Sequence, residues 1–139
     1  MLERQEVLLD HRLLLERWAG RATVDEVKQA LGDQVGNPDF SEVRFILSDE
    51  RRVEDFDFAA SDIREFAKEA ASSLEAYEGK RWAFVIDATR TTALVMLFRS
   101  LLESEIEVQV FSTLESALTW LGVPRQTFEY VMDREDESV

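Results

Sequence analysis

The sequence predicts a single-domain α/β fold: a mixed, largely parallel β-sheet with alternating helices and an antiparallel strand or hairpin at its N-terminus. Three observations carry that reading. Two short runs, "EVRFILSD" and "RWAFVID", are apolar on both faces and end in acids, as strands buried inside a sheet do. Strand-like and helix-like segments alternate from Thr23 to Leu121, the order that builds right-handed parallel crossovers. A chain of 139 residues with 45% hydrophobic content can bury one good core, and is short for two.

Taken in order, "EVLLDHRLLLERWAG" reads as one strand, or as two short ones meeting near Asp10 and His11, ended by Gly20. Thr23 and Glu26 have capping-box spacing, and Val24, Val27, Leu31 and Val35 then recur on one helical face up to Gly36 and the Asn37-Pro38 breaker. Residues 43 to 48 form a central strand, followed by a long loop over 49 to 62. Ser61 caps the next helix, in which Ile63, Phe66, Ala67, Ala70, Leu74 and Tyr77 keep helical spacing until Gly79.

A second buried strand covers residues 81 to 86 and is expected beside the first, pointing the same way. Thr91 or Thr92 caps a helix with Leu94, Leu97, Phe98 and Leu101 on its core face. Val95, Met96 and Leu102 widen its apolar surface, to be covered by the C-terminal segment or by a second copy of the chain. "EIEVQVFS" alternates like a half-exposed strand near the sheet edge. Thr113 caps a last helix, with Leu114, Ala117, Leu118 and Leu121 buried, before Gly122 and Pro124 stop it. The domain is expected to span 1–124. In the tail, 125–139, Phe128, Tyr130 and Met132 alternate and dock, while the charged "DREDESV" is expected to stay unordered.

The element order, with "GRATVDEVKQAL", "VRFILSDER" and above all "VQVFSTLESALTWLG", resembles the SpoIIAA-like branch of the STAS superfamily, which overlaps with Sec14-type lipid-binding modules. The similarity covers roughly residues 12 to 122. It implies a regulatory or ligand-sensing domain with no reaction of its own, a protein partner, and a switch by phosphorylation of a serine at a helix start. The family's Asp-Ser-Ser-Gly type motif is absent here. Ser61, within "AASDI", is the serine at the corresponding helix start, and its plainer role is to cap the helix.

Composition narrows the function further. A net charge of −13 and scattered Lys and Arg argue against nucleic acid as a partner. With no Cys there is no disulfide or thiolate chemistry, which fits a bacterial, cytoplasmic protein, and no apolar run approaches the roughly 20 residues of a membrane span. His11 is the one histidine, no Gly-x-Ser-x-Gly elbow surrounds any serine, and the five glycines form no phosphate loop, so no catalytic residues, cofactor or metal are assigned.

The site expected from sequence is a carboxylate-arginine rim after the two buried strands: Asp49, Arg51, Arg52, Asp87 and Arg90, with Phe56 and Phe58 behind it. Such a rim suits a partner protein or an amphipathic small molecule. The competing reading has both phenylalanines anchoring the loop to the core. Last comes a Mg²⁺-dependent or acid-base enzyme using Asp49 and Asp87.

Overall fold

A five-stranded sheet of order β1-β2-β3-β4-β5 organises the chain. The structure, a computed structural model, describes residues 1–102 and 106–137. β1 (Leu2–Leu8) and β2 (Leu13–Thr23) make an antiparallel hairpin through a 3-10 turn at Leu9–His11, which Arg12 ends with φ 51°. Of the two readings of this segment, the hairpin is the one realised. Gly20 does not end β2. It sits inside the strand at φ +61°, where the register against β3 shifts, a backbone turn that glycine adopts without a Cβ clash.

Helix α1 (Val24–Gly36) begins as its capping box predicts: the Glu26 N–H donates to Thr23 Oγ1 at 3.3 Å, and the Thr23 N–H donates to Glu26 Oε1 at 3.2 Å. β3 (Phe45–Asp57) corrects the sequence expectation. It opens at Phe45, and residues 49–57, expected to be loop, continue the strand because β2 supplies parallel partners as far as Thr23 opposite Asp57. Only Phe58 and Ala59 separate it from α2 (Ala60–Ala71).

Ser61 does not cap α2. Ala59 holds the N-cap position, its N–H donates to Asp62 Oδ2 at 2.8 Å, and Ser61 is an exposed residue inside the first turn. The long helix expected here breaks at Ser72, whose hydroxyl donates to the Glu69 carbonyl at 2.6 Å, and a short α3 (Leu74–Tyr77) follows.

β4 (Arg81–Val85) lies parallel beside β3, with Phe45 opposite Arg81 and Asp49 opposite Val85, as expected for the two buried strands. α4 (Thr89–Leu101) starts from Ala88, three or four residues before the threonines expected to cap it; Thr92 Oγ1 instead donates back to the Ala88 carbonyl. β5 (Glu107–Phe111) closes the far edge. α5 (Leu114–Leu121) is capped by Thr113, which accepts the Ser116 N–H at 3.2 Å, and ends at Gly122 with φ +75°. The tail is a helix, α6 (Arg125–Glu137), in place of the strand-like alternation expected up to Met132; Thr127, Phe128 and Val131 pack at helical spacing.

From β2 to β5 the chain steps one place at a time in one direction, so right-handed crossovers put α1, α2 and α4 on one face of the sheet. Their core is built on Leu14, Ile46, Trp82, Phe66 and Phe98. α5 and α6 cover the other face over Leu13, Leu15, Leu47, Ala83 and Val85. Each fully buried Leu or Ile here contributes about 1.5–3 kcal/mol. The expected dimer patch is mostly internal: Val95 and Leu102 are buried in the first core, while Met96 and Leu101 remain exposed on α4. The C-terminal segment does not cover them, because it packs on the opposite face. Among the described residues no helix is long and apolar enough to cross a membrane.

Candidate ligand pocket

Because residues 49–57 are a strand, the expected rim is divided between the two faces of the sheet. Asp49 and Arg51 point toward α6. Arg51 Nε and Nη2 donate to the two Asp49 carboxylate oxygens at 2.9 and 2.8 Å, Arg17 Nε lies 3.8 Å away, and Arg51 also bonds Glu135 of α6. Burial alone would raise the Asp49 pKa, but the hydrogen bonds and charge of Arg51, with the charge of Arg17, hold it below the usual value. Both oxygens are thus committed to a structural ion pair. Asp87 is exposed between β4 and α4, Arg52 is exposed with Glu3 at 3.9 Å, and the Arg90 side chain lies outside the described residues. Among the described residues, no group of three or more His, Asp or Glu is placed to hold a metal ion.

Phe56 and Phe58 belong to the other face. There the sheet and helices α1, α2 and α4 enclose a cavity of about 70 Å³, room for about two waters at liquid density. Its walls are mostly aromatic. Trp82 lies 5.0 Å from Phe84 and 5.6 Å from Phe98, and Phe58 bridges Phe56 at 4.8 Å and Phe66 at 5.3 Å between ring centroids. Val27, Phe58 and Leu94, only partly buried, mark its outer side.

The floor is a row across the sheet in which Glu16 of β2 pairs with Ser48 of β3, and Ser48 with Phe84 of β4. Each polar side chain in that row has a fixed role. Ser48 Oγ accepts from Trp82 Nε1 at 2.9 Å. Glu16, 2% exposed, accepts from Trp18 Nε1 at 3.1 Å and from Gln34 Nε2, while the Tyr77 hydroxyl donates to Gln34 Oε1 at 2.8 Å. Burial raises the Glu16 pKa, opposed by these donors.

Glu50 differs from all of them. It lines the cavity two residues beyond Ser48, is 7% exposed, and its Oε2 has no hydrogen-bond partner among the described residues. Burial, then the charges of Glu16 and Asp49, push its pKa well above the ordinary carboxylate value. A buried acid without a partner costs about 1–3 kcal/mol, so such a group stands out in a native core.

Of the expected residues, the structure brings Phe56 and Phe58 to this pocket and leaves Asp49, Arg51, Arg52 and Asp87 away from it. Sequence reasoning missed Glu16, Gln34, Ser48 and Glu50 as lining groups. The available signal was an acid inside "LLLERW", a Leu-rich strand, and a second acid after Ser48 on the same alternation.

The sequence matches no family model and no curated protein. Solved structures similar in chain trace include these two. One is an uncharacterized protein of the DUF3478 family with a SpoIIAA-like fold from Shewanella loihica PV-4, at 18% identity and a TM-score of 0.49, covering 78% of this chain and 83% of that one. The other is the anti-sigma factor antagonist SpoIIAA in its unphosphorylated form, at 15% identity and a TM-score of 0.47, covering 86% and 94%. Both bear the SpoIIAA-like description that the sequence resemblance carries, and the pocket above rests on this chain's own residues.

Proposed function

We propose that this chain is a non-enzymatic regulatory module whose input is a small, largely apolar molecule held between the sheet and helices α1, α2 and α4, and whose output is contact with a protein partner. One observation carries the input half: an aromatic cavity whose wall includes a buried carboxyl oxygen with no hydrogen-bond partner among the described residues. The regulatory half follows the sequence resemblance to the SpoIIAA-like branch of the STAS superfamily. Ser61, exposed in the first turn of α2, is the candidate for modification.

The test combines native mass spectrometry of the protein purified from cells with thermal shift against a panel of small apolar compounds. A compound at about 100 times its Kd stabilises by about 2.7 kcal/mol, a rise of several degrees in Tm. The expected result is a shift with at least one compound that disappears in Ala30→Leu, where the added atoms fill the cavity beside Leu31 and Gln34. No adduct and no shift across the panel would end the reading.

A further inference from the structure

The cavity combines two features that rarely share one space. Its lining rings include Trp18, Phe56 and Phe66, and aromatic π-faces attract cations. Its only ionisable lining groups among the described residues are two acids, Glu16 and Glu50. No Lys or Arg lines it, whereas Asp49, the third buried acid of the sheet, takes Arg51 and Arg17. The chain as a whole carries −13, which favours approach of a cation over that of an anion or neutral molecule.

Resting on the reading of the cavity as a ligand site, we propose that its ligand is a small organic ammonium, with the charged head against Glu50 and boxed by the aromatic rings. The ammonium N–H would supply the donor that Glu50 Oε2 lacks, and the rings would replace the water lost by its methylene or methyl groups. About 70 Å³ admits an aminomethyl-sized head, while an alkyl tail extends toward Phe58 and Leu94 on the outer side. Glu16 is not the primary partner, since Trp18 and Gln34 already occupy its oxygens.

Charge balances simply. The ammonium enters with its proton, and the Glu50 carboxyl, whose pKa burial raises, releases any proton it holds to solvent, leaving a carboxylate-ammonium pair. The groups that bear on that step are the carboxyls of Glu16 from β2 and Asp49 from β3, whose charges raise the Glu50 pKa; α1 contributes the neutral Gln34.

Three tryptophans make the test direct. The indole N–H groups of Trp18 and Trp82 donate at the cavity floor, whereas Trp120 packs in the core of the opposite face and serves as an internal control. Amide NMR spectra are followed while n-butylamine, n-butanol and butyrate are titrated at pH 7.5. The expected result is that butylamine shifts the Trp18 and Trp82 indole signals and not Trp120, binds at least tenfold tighter than butanol, and loses at least tenfold in folded Glu50→Gln. Butanol binding as well as butylamine, or an amine affinity unmoved by Glu50→Gln, overturns the ammonium assignment while leaving the cavity a ligand site. Silence of both indole signals toward all three probes removes the assignment and the cavity reading together. Should Glu50→Gln fail to fold, the amine-to-alcohol ratio in the unaltered protein decides.

Discussion

Asp49 and Glu50 are consecutive in β3 and meet opposite fates. The strand turns Asp49 toward α6, where two arginines lower its pKa, and turns Glu50 toward α1, where burial and two neighbouring acids raise it. The faces differ in the same sense. Beneath α5 and α6 the charge is neutralised by cations carried on β2, β3 and the pair to Glu135; beneath α1, α2 and α4 polar groups are held by neutral donors and one acid is left over. A buried carboxyl oxygen with no partner among the described residues is kept at a cost, and Glu50, which carries it, lines the aromatic cavity.

The comparison can be broken from either side. The largest effect is expected from Asp49→Ala, which strands Arg17 and Arg51 without their shared anion. Removing one partner of a buried pair costs 3–5 kcal/mol in general, reduced here to about 2–3 kcal/mol because Arg51 is a quarter exposed to solvent; urea unfolding measures it. A loss below 0.5 kcal/mol would mean that the two acids are not differently held.

Glu50→Gln sharpens the contrast through pH. In the native protein Glu50 keeps its proton at pH values where the unfolded chain has lost it, so stability declines as pH rises from the ordinary carboxylate range toward the raised pKa. Asp49 acts in reverse: its contribution is present above the ordinary carboxylate range and is lost as pH falls through the lowered pKa. Thermal unfolding between pH 3 and 9 is therefore expected to show Glu50→Gln flattening the decline that begins above the ordinary carboxylate range, by about 1–3 kcal/mol at its upper end, while the acid limb stays. An unchanged alkaline limb would assign the decline to another group.

The smallest effect is expected at Met96, exposed beside Leu101 on the outer side of α4. Two such side chains form a patch well below the roughly 800 Å² per partner of a stable interface. Met96→Glu is expected to change stability by less than about 0.5 kcal/mol and to sediment like the unaltered chain, as a monomer. A shift from dimer to monomer on substitution would instead make this face a self-association surface.

Much of the architecture was readable because each local signal agreed with its neighbour. Thr23 with Glu26, Thr113, Gly122 and the doubly apolar strands are decided within a few residues, and the sheet position of β3 beside β4 follows from them. The second half of β3 was not. Its register shifts against β2 break the period of two, leaving Val53 and Phe56 three apart in a charged run that imitates a loop. α6 misled in a related way, since Phe128, Tyr130 and Met132 alternate by chance while Thr127 and Val131 carry the buried helical spacing. Glu16 and Glu50 could be flagged as acids in apolar strands, but their meeting at one cavity depends on β2 and β3 lying side by side, a long-range fact.

β4 accompanies β3 only as far as Asp49, so beyond that point residues 50–57 rest on β2 alone, and β2 past Trp18 has outrun its ladder with β1. One rim of the aromatic chamber is consequently a two-ply ribbon bent at Gly20, and not the middle of a sheet. Opening of that ribbon would break a single ladder and leave the packed strands beneath it paired, the least costly way in for the guest proposed above.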